Sequence, residues 1–141
     1  FVDVVRDAFP KFESNVEKLL MNARKEGMIV IHVRAEYTRK DSKWMSTWDE
    51  LIGTSGRGVL GEVYSTTVSD FAKETSEELV IGKNSFDGFY NTELENVLNE
   101  HNVKELFVAG ILTSCCVLFT ASSAFFRGFK VNVIEDCCAD R

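Results

Sequence analysis

The chain has 141 residues, 45% of them hydrophobic and 11% aromatic, enough apolar material for one globular domain with a sizeable core. A net charge of −6 and a pI near 5.0, without a basic block, exclude a nucleic-acid or anionic-membrane surface from the expectations and leave a small molecule as the expected partner. The cysteines form two adjacent pairs, Cys115-Cys116 and Cys137-Cys138, which is neither a zinc spacing nor a dispersed disulfide framework, so a reducing, cytoplasmic setting is expected.

From Pro10 to about Gly27, apolar residues Phe12, Val16, Leu19, Leu20 and Ala23 recur at three- and four-residue intervals and predict an amphipathic helix stopped by the glycine. Met28–Val33 (MIVIHV) reads as a strand buried on both faces. Mixed charge, Trp44, Trp48 and the cluster Gly53-Thr54-Ser55-Gly56 predict a long pocket-shaping loop from Arg34 to about Thr67. Glu78–Gly82 is a short strand with Lys83 at its carboxyl end, and Thr92–His101 is a helix with Thr92 as its cap. Leu106–Leu112 is another buried strand, residues from about Ser114 to Phe126 form a helix, and Lys130–Ile134 is the last strand.

This alternation predicts an α/β, doubly wound, mainly parallel sheet with helices on both faces, in a single domain over residues 1–141. Ligands of such sheets sit beyond the carboxyl ends of the strands, where Arg34, Lys83, Thr113 and Glu135 are expected to converge. Cys115 and Cys116 stand where a strand gives way to a helix, so backbone N–H groups and the helix dipole favour a thiolate at either position. Cys137 and Cys138 read as core or edge residues, His32 as a satisfied core histidine and His101 as a helix-end residue. The helix after Cys116 carries Val117, Leu118, Phe119, Phe125 and Phe126, more apolar surface than one buried face needs. It reads either as a subunit interface of a homo-oligomer or as a fully buried central helix.

Three motifs carry a family resemblance. Gly110-Ile-Leu-Thr113-Ser-Cys-Cys116-Val117, with Thr120-Ala121, Ala124 and Gly128, resembles the nucleophile segment of the isochorismatase-like cysteine hydrolases. Lys83-Asn-Ser-Phe-Asp-Gly-Phe89, with Thr92 and Leu94, resembles that family's lysine motif, and Gly53-Thr-Ser-Gly56 resembles a looser third. The family includes nicotinamidases, carbamoylsarcosine and ureidoacrylate amidohydrolases, and isochorismatases. The resemblance implies a cysteine, lysine and aspartate triad with Cys116 as nucleophile and Lys83 as its charged partner. It implies an oxyanion hole at the backbone N–H groups of Leu112 and Cys116, and a cis peptide between Ile111 and Leu112. The aspartate belongs to a segment whose end Phe1-Val2 resembles, so it is expected just upstream of Phe1, with a first strand and a C-terminal portion also outside these residues.

The expected reaction is cleavage of a C–N bond in a small amide, ureido or carbamoyl compound through a thioester. The alternatives are vinyl ether hydrolysis of the isochorismatase type and non-catalytic binding of a small molecule. Nicotinamidases of the family place an aspartate–histidine–histidine metal site after the second strand. The matching segment Arg34–Asp41 has no histidine, so neither a metal nor another cofactor is expected, and nicotinamide is not favoured. Arg34, Tyr37, Trp44 and Phe89 are the candidate substrate-binding residues. Arg34, Tyr37, Trp44 and Trp48 serve equally well as loop anchors or oligomer contacts, while Phe86, Phe89 and Tyr90 read as core or pocket wall rather than specific recognition.

Overall fold

A computed structural model describes residues 2–51, 63–65 and 69–140 of the chain. The elements are α1 (Val2–Ala8), α2 (Phe12–Lys25), β1 (Ile31–Thr38), α3 (Trp44–Leu51), β2 (Val63–Ser65), β3 (Leu79–Lys83), α4 (Leu94–Glu100), β4 (Glu105–Ile111), α5 (Leu118–Phe126) and β5 (Lys130–Ala139). The Gly53-Thr54-Ser55-Gly56 cluster lies outside the described residues.

Three helices end alike and feed a strand. At the end of α2, Gly27 (φ 67°) donates to the Arg24 carbonyl and Met28 to that of Ala23. At α4 the pair is Asn102 (φ 54°) and Val103, and at α5 it is Gly128 (φ 88°) and Phe129. These are Schellman turns, which need a left-handed residue and so select glycine or asparagine there.

Strand pairing falls into two groups. β1 pairs parallel with β3 (Ile31 opposite Leu79, Ala35 opposite Lys83) and antiparallel with β2, while β4 pairs parallel with β5. Helices α4 and α5 cover one face of both groups and α1 and α2 pack on β5 from the other, an α/β architecture with a mainly parallel sheet, as the alternation predicts. On one side Ile31, Val33, Ile81, Leu106 and Val131 pack against Phe89, Leu94, Leu98, Ala124 and Phe129. On the other, Ile134, Cys137 and Ala139 pack with Val5, Phe12 and Val16.

Several boundaries differ from the sequence expectation. β1 begins and ends later than Met28–Val33, because the helix-end turn consumes Gly27 and Met28 and pairing with β2 carries the strand on through Glu36, Tyr37 and Thr38. The expected loop from Arg34 therefore holds the end of β1, α3 and β2. Strands read as doubly buried are covered less completely: in β4, Leu106 and Val108 point inward while Phe107 is 50% and Ile111 is 40% exposed. β5 does not stop at Ile134. A bulge between the pairs Val108–Val133 and Gly110–Cys138 throws Glu135 and Asp136 outward, and the strand resumes through buried Cys137, Cys138 and Ala139. Nor is α5 fully buried, since Leu118, Phe119, Phe125 and Phe126 remain exposed.

Candidate active site

The site is built where β1, β3 and β4 end. Side chains alternate along β1, so Tyr37 faces the same side as Val33 and Ala35, while His32, Arg34 and Glu36 face the other. Lys83, the last residue of β3, is opposite Ala35 and is 4% exposed. A buried ammonium must be paired, and the three hydrogens of Lys83 Nζ have three acceptors: the Ser85 carbonyl at 2.6 Å, the Tyr37 hydroxyl at 3.2 Å and Cys116 Sγ at 3.3 Å. Tyr37 Oη in turn lies 3.9 Å from Cys116 Sγ.

Cys116 belongs to a π turn, Thr113–Val117, between β4 and α5. The Leu112 carbonyl accepts from both Cys115 N–H (3.2 Å) and Val117 N–H (3.1 Å), and the Ile111–Leu112 peptide immediately before is cis. The resumed end of β5 supports this turn, with Ala139 opposite Ile111 and the Asp140 carboxylate accepting from Ser114 N–H at 2.6 Å. Sequence reasoning missed Asp140 because it ended the strand before the bulge. A signal was available in the small apolar run Cys137-Cys138-Ala139 directly preceding it.

The loop after Lys83 is locked onto α5. Gly88 N–H donates to Thr120 Oγ1 (2.9 Å), Ser123 Oγ donates to Asp87 Oδ2 (2.5 Å), and Thr92 Oγ1 donates to the Gly88 carbonyl (2.6 Å). A Cβ at position 88 would stand 3.0 Å from Thr120 Cγ2 and 3.3 Å from Val33, which explains the glycine. The residues of the lysine motif and of the Thr120-Ala121 segment thus hold each other, and with them Lys83 and Cys116. From the other side, the Asn84 carbonyl accepts from Ser42 Oγ (2.7 Å) and Trp44 Nε1 (2.8 Å).

An aromatic wall adjoins the cysteine. The Tyr37 ring meets Trp44 edge-on at 4.9 Å and stacks on Tyr64 at 5.6 Å, Trp44 lies 4.4 Å from Phe86, and Phe86 is 6.2 Å from Phe119. Of the four candidate substrate-binding residues, then, Tyr37 comes to the cysteine, Trp44 packs beside Tyr37 in the wall, and two lie elsewhere. Arg34 lies on the opposite face of β1, bidentate to Glu74, because the strand does not end before it. Phe89 is core, packed on Phe129 with the Arg127 guanidinium over its ring. Thr113 opens the π turn, whereas Glu135 is exposed in the β5 bulge and makes no contact with this cluster. His32 is paired with Glu78 at 2.9 Å, and His101 caps α4.

Burial, and then the neighbouring Cys116, pushes the Cys115 thiol up to about 11. Burial likewise raises the Tyr37 phenol above its ordinary value. Both groups are protonated at neutral pH, and it is Cys116 that receives the Lys83 ammonium. A thiolate at this position would have a buried cation and the turn's N-terminal dipole beside it, the arrangement that makes a nucleophilic sulfur. Among the described residues no carboxylate contacts Cys116 or Lys83, and no group of three histidine, cysteine or acidic side chains is arranged to hold a metal.

The profile of the Isochorismatase domain family matches residues 4–141. The chain belongs to the isochorismatase family of hydrolases. Among family members it is 28% identical over 148 residues to YddQ of Bacillus subtilis, described as an uncharacterized isochorismatase family protein, covering 98% of this chain and 74% of that one. It is 33% identical over 94 residues to nicotinamidase 3 of Arabidopsis thaliana, covering 58% of this chain and 48% of that one. The crystal structure of N-carbamoylsarcosine amidase from Thermoplasma acidophilum superposes with a TM-score of 0.78 at 24% identity, over 94% of this chain and 72% of that one. The last likeness is one of fold.

Proposed function

We propose that this isochorismatase-family protein is a cysteine hydrolase that cleaves a C–N bond in a small amide, ureido or carbamoyl compound. The observation that carries this reading is the 3.3 Å contact of buried Lys83 Nζ with Cys116 Sγ at the head of the π turn. Cys116 Sγ attacks the carbonyl carbon, forming a C–S bond and a tetrahedral oxyanion, and the C–N bond breaks as the amine leaves with a proton. Water then cleaves the thioester, releasing the acid and regenerating the thiol. The oxyanion donors are the backbone N–H groups of Leu112, in the cis Ile111–Leu112 peptide, and of Cys116, in the π turn that follows. The proton carrier is the aspartate that the family resemblance assigns to a preceding strand. Tyr37 and Trp44 bind the substrate over the aromatic wall, and no metal takes part. The nicotinamidase among the similar proteins supports the C–N bond as target. The same reading gives a cytoplasmic protein that self-associates through the exposed apolar side of α5; among the described residues no helix is long and apolar enough to cross a membrane.

The test is timed alkylation by iodoacetamide at neutral pH, read residue by residue by peptide mass spectrometry, with Lys83→Ala and Cys116→Ala as comparisons. It is paired with ammonia release from nicotinamide, N-carbamoylsarcosine and a ureido acid. Rapid labelling confined to Cys116 and slowed by Lys83→Ala is expected, with a hydroxamate trapped by hydroxylamine during turnover. A Cys116 that reacts no faster than a free thiol sinks the nucleophile assignment.

A further inference from the structure

Tyr37 has more to do at this site than the aromatic wall requires. Its ring is 4% exposed and already fixed by Trp44, Tyr64 and Phe86, so packing alone would be served by phenylalanine. Its hydroxyl nevertheless lies 3.2 Å from Lys83 Nζ and 3.9 Å from Cys116 Sγ. Hydrogen bookkeeping fixes the direction of the first of these contacts, and of the second when Cys116 is a thiolate, which can only accept. An ammonium only donates, so the phenol oxygen accepts from Lys83, and the phenol's own hydrogen remains free. The acceptor within its reach is Cys116 Sγ.

We infer that the Tyr37 hydroxyl is a positioning residue for the nucleophile: it accepts from Lys83, donates to the Cys116 thiolate, and so holds cation and sulfur in one closed triangle. This inference rests on the reading of Cys116 as nucleophile. A sulfur bearing charge accepts both the Lys83 and Tyr37 hydrogens more strongly than a neutral one, so the triangle favours the thiolate before attack and again when sulfur leaves the thioester. The groups able to disturb this balance are few among the described residues. Lys83 faces Tyr37 from β3, Tyr64 from β2, and Cys115 and Cys116 from the π turn, while Asp140 at the end of β5 acts on Cys115. The phenol is buried and held protonated above its ordinary range, which keeps it a donor throughout the working pH range.

The experiment is the pH profile of Cys116 alkylation by iodoacetamide in the intact protein, compared among wild type, Tyr37→Phe and Tyr90→Phe. Tyr90→Phe removes a phenol from an exposed position of the loop after Lys83. Tyr37→Phe keeps the ring and removes the hydrogen bonds; the expectation is a profile displaced to higher pH and a rate at neutral pH lower by about tenfold, with Tyr90→Phe following wild type. A second variant carries 3-fluorotyrosine at position 37, whose hydroxyl is a stronger donor, and should displace the profile the opposite way. Should wild-type Cys116 be hyper-reactive while neither change at position 37 moves its profile, the Tyr37 inference is overturned and the proposed function stands. If wild-type Cys116 behaves as a free thiol, the proposed function falls and this inference with it. If Tyr37→Phe does not fold, the fluorotyrosine protein alone decides, since an unmoved profile there overturns the inference.

Discussion

Two adjacent cysteines occupy different chemistry because successive side chains on a helical turn point in different directions. Cys116 is turned toward Lys83 and Tyr37, whereas Cys115 is turned into surroundings where burial opposes its charge. The sign follows directly: a thiol raised to about 11 is neutral below that value, and its folded environment loses favour as the pH climbs past the ordinary thiol range. Alkylation of Cys115 should therefore remain slow through neutral pH and rise only in strong alkali. Labelling each cysteine between pH 6 and pH 11, a range chosen about these ordinary thiol values, would show it. Labelling of Cys115 at neutral pH as fast as that of Cys116 would contradict the assignment of roles. Nothing in the residue pair distinguishes the two in sequence; the family motif singles out Cys116, and the structure adds the contact with Lys83.

The loop between β3 and α4 behaves as one element because its backbone is pinned to α5. Gly88 N–H has its acceptor in Thr120 Oγ1, and Asp87 has Ser123. Thr120→Val conserves shape but leaves a partly buried N–H unpaired, and is expected to cost about 1–2 kcal/mol, read as a lower thermal midpoint. Thr120→Ser keeps the acceptor and should recover most of that loss; a serine variant as unstable as the valine one would mean that the methyl contact beside Gly88 matters as much as the hydrogen bond. Because Ser85 and Phe86 lie in this loop, the valine variant should also slow Cys116 alkylation. The spacing of Lys83, Asp87, Gly88 and Thr120 was legible in sequence as two separate motifs. Their mutual contact was not, since the residues are joined by a hydrogen bond across more than thirty positions.

At the scale of the whole molecule, Glu78 ties together α2, β1 and the start of β3. It accepts from Arg24 at 2.7 and 2.9 Å and meets His32 at 2.9 Å. The Arg24 guanidinium first, and His32 after it, hold the Glu78 carboxyl at about 2, below its ordinary 4.5. A depressed carboxylate stabilises the fold above its unfolded value, and this contribution is lost as pH falls from about 4.5 toward 2. Glu78→Gln should cost about 2 kcal/mol at neutral pH and flatten the acid limb of the stability curve, measured by urea denaturation at several pH values. Unchanged acid sensitivity would place the acid-labile contact elsewhere. Exposed Phe125 and Phe126 on α5 carry the self-association proposal. Sedimentation should show Phe126→Ser shifting the protein toward monomer, and a wild type that is monomeric at all concentrations would refute it.

The sequence by itself determined the elements whose signals are local. The apolar spacing of α2 and α4, the Gly27 stop, the short apolar strands and the two motifs around Lys83 and Cys116 act over a few residues, and they yielded the α/β class and the family. Tertiary structure alone decided what depends on partners distant in the chain. Pairing with β2 and β3 prolongs β1 through polar residues, and the resulting alternation turns Arg34 toward Glu74 and Tyr37 toward the cysteine. A bulge carries β5 past two acids to bring Asp140 under the π turn. Periodicity reports which face a residue takes once the strand is known, but the length of a strand is set by the neighbour that pairs with it.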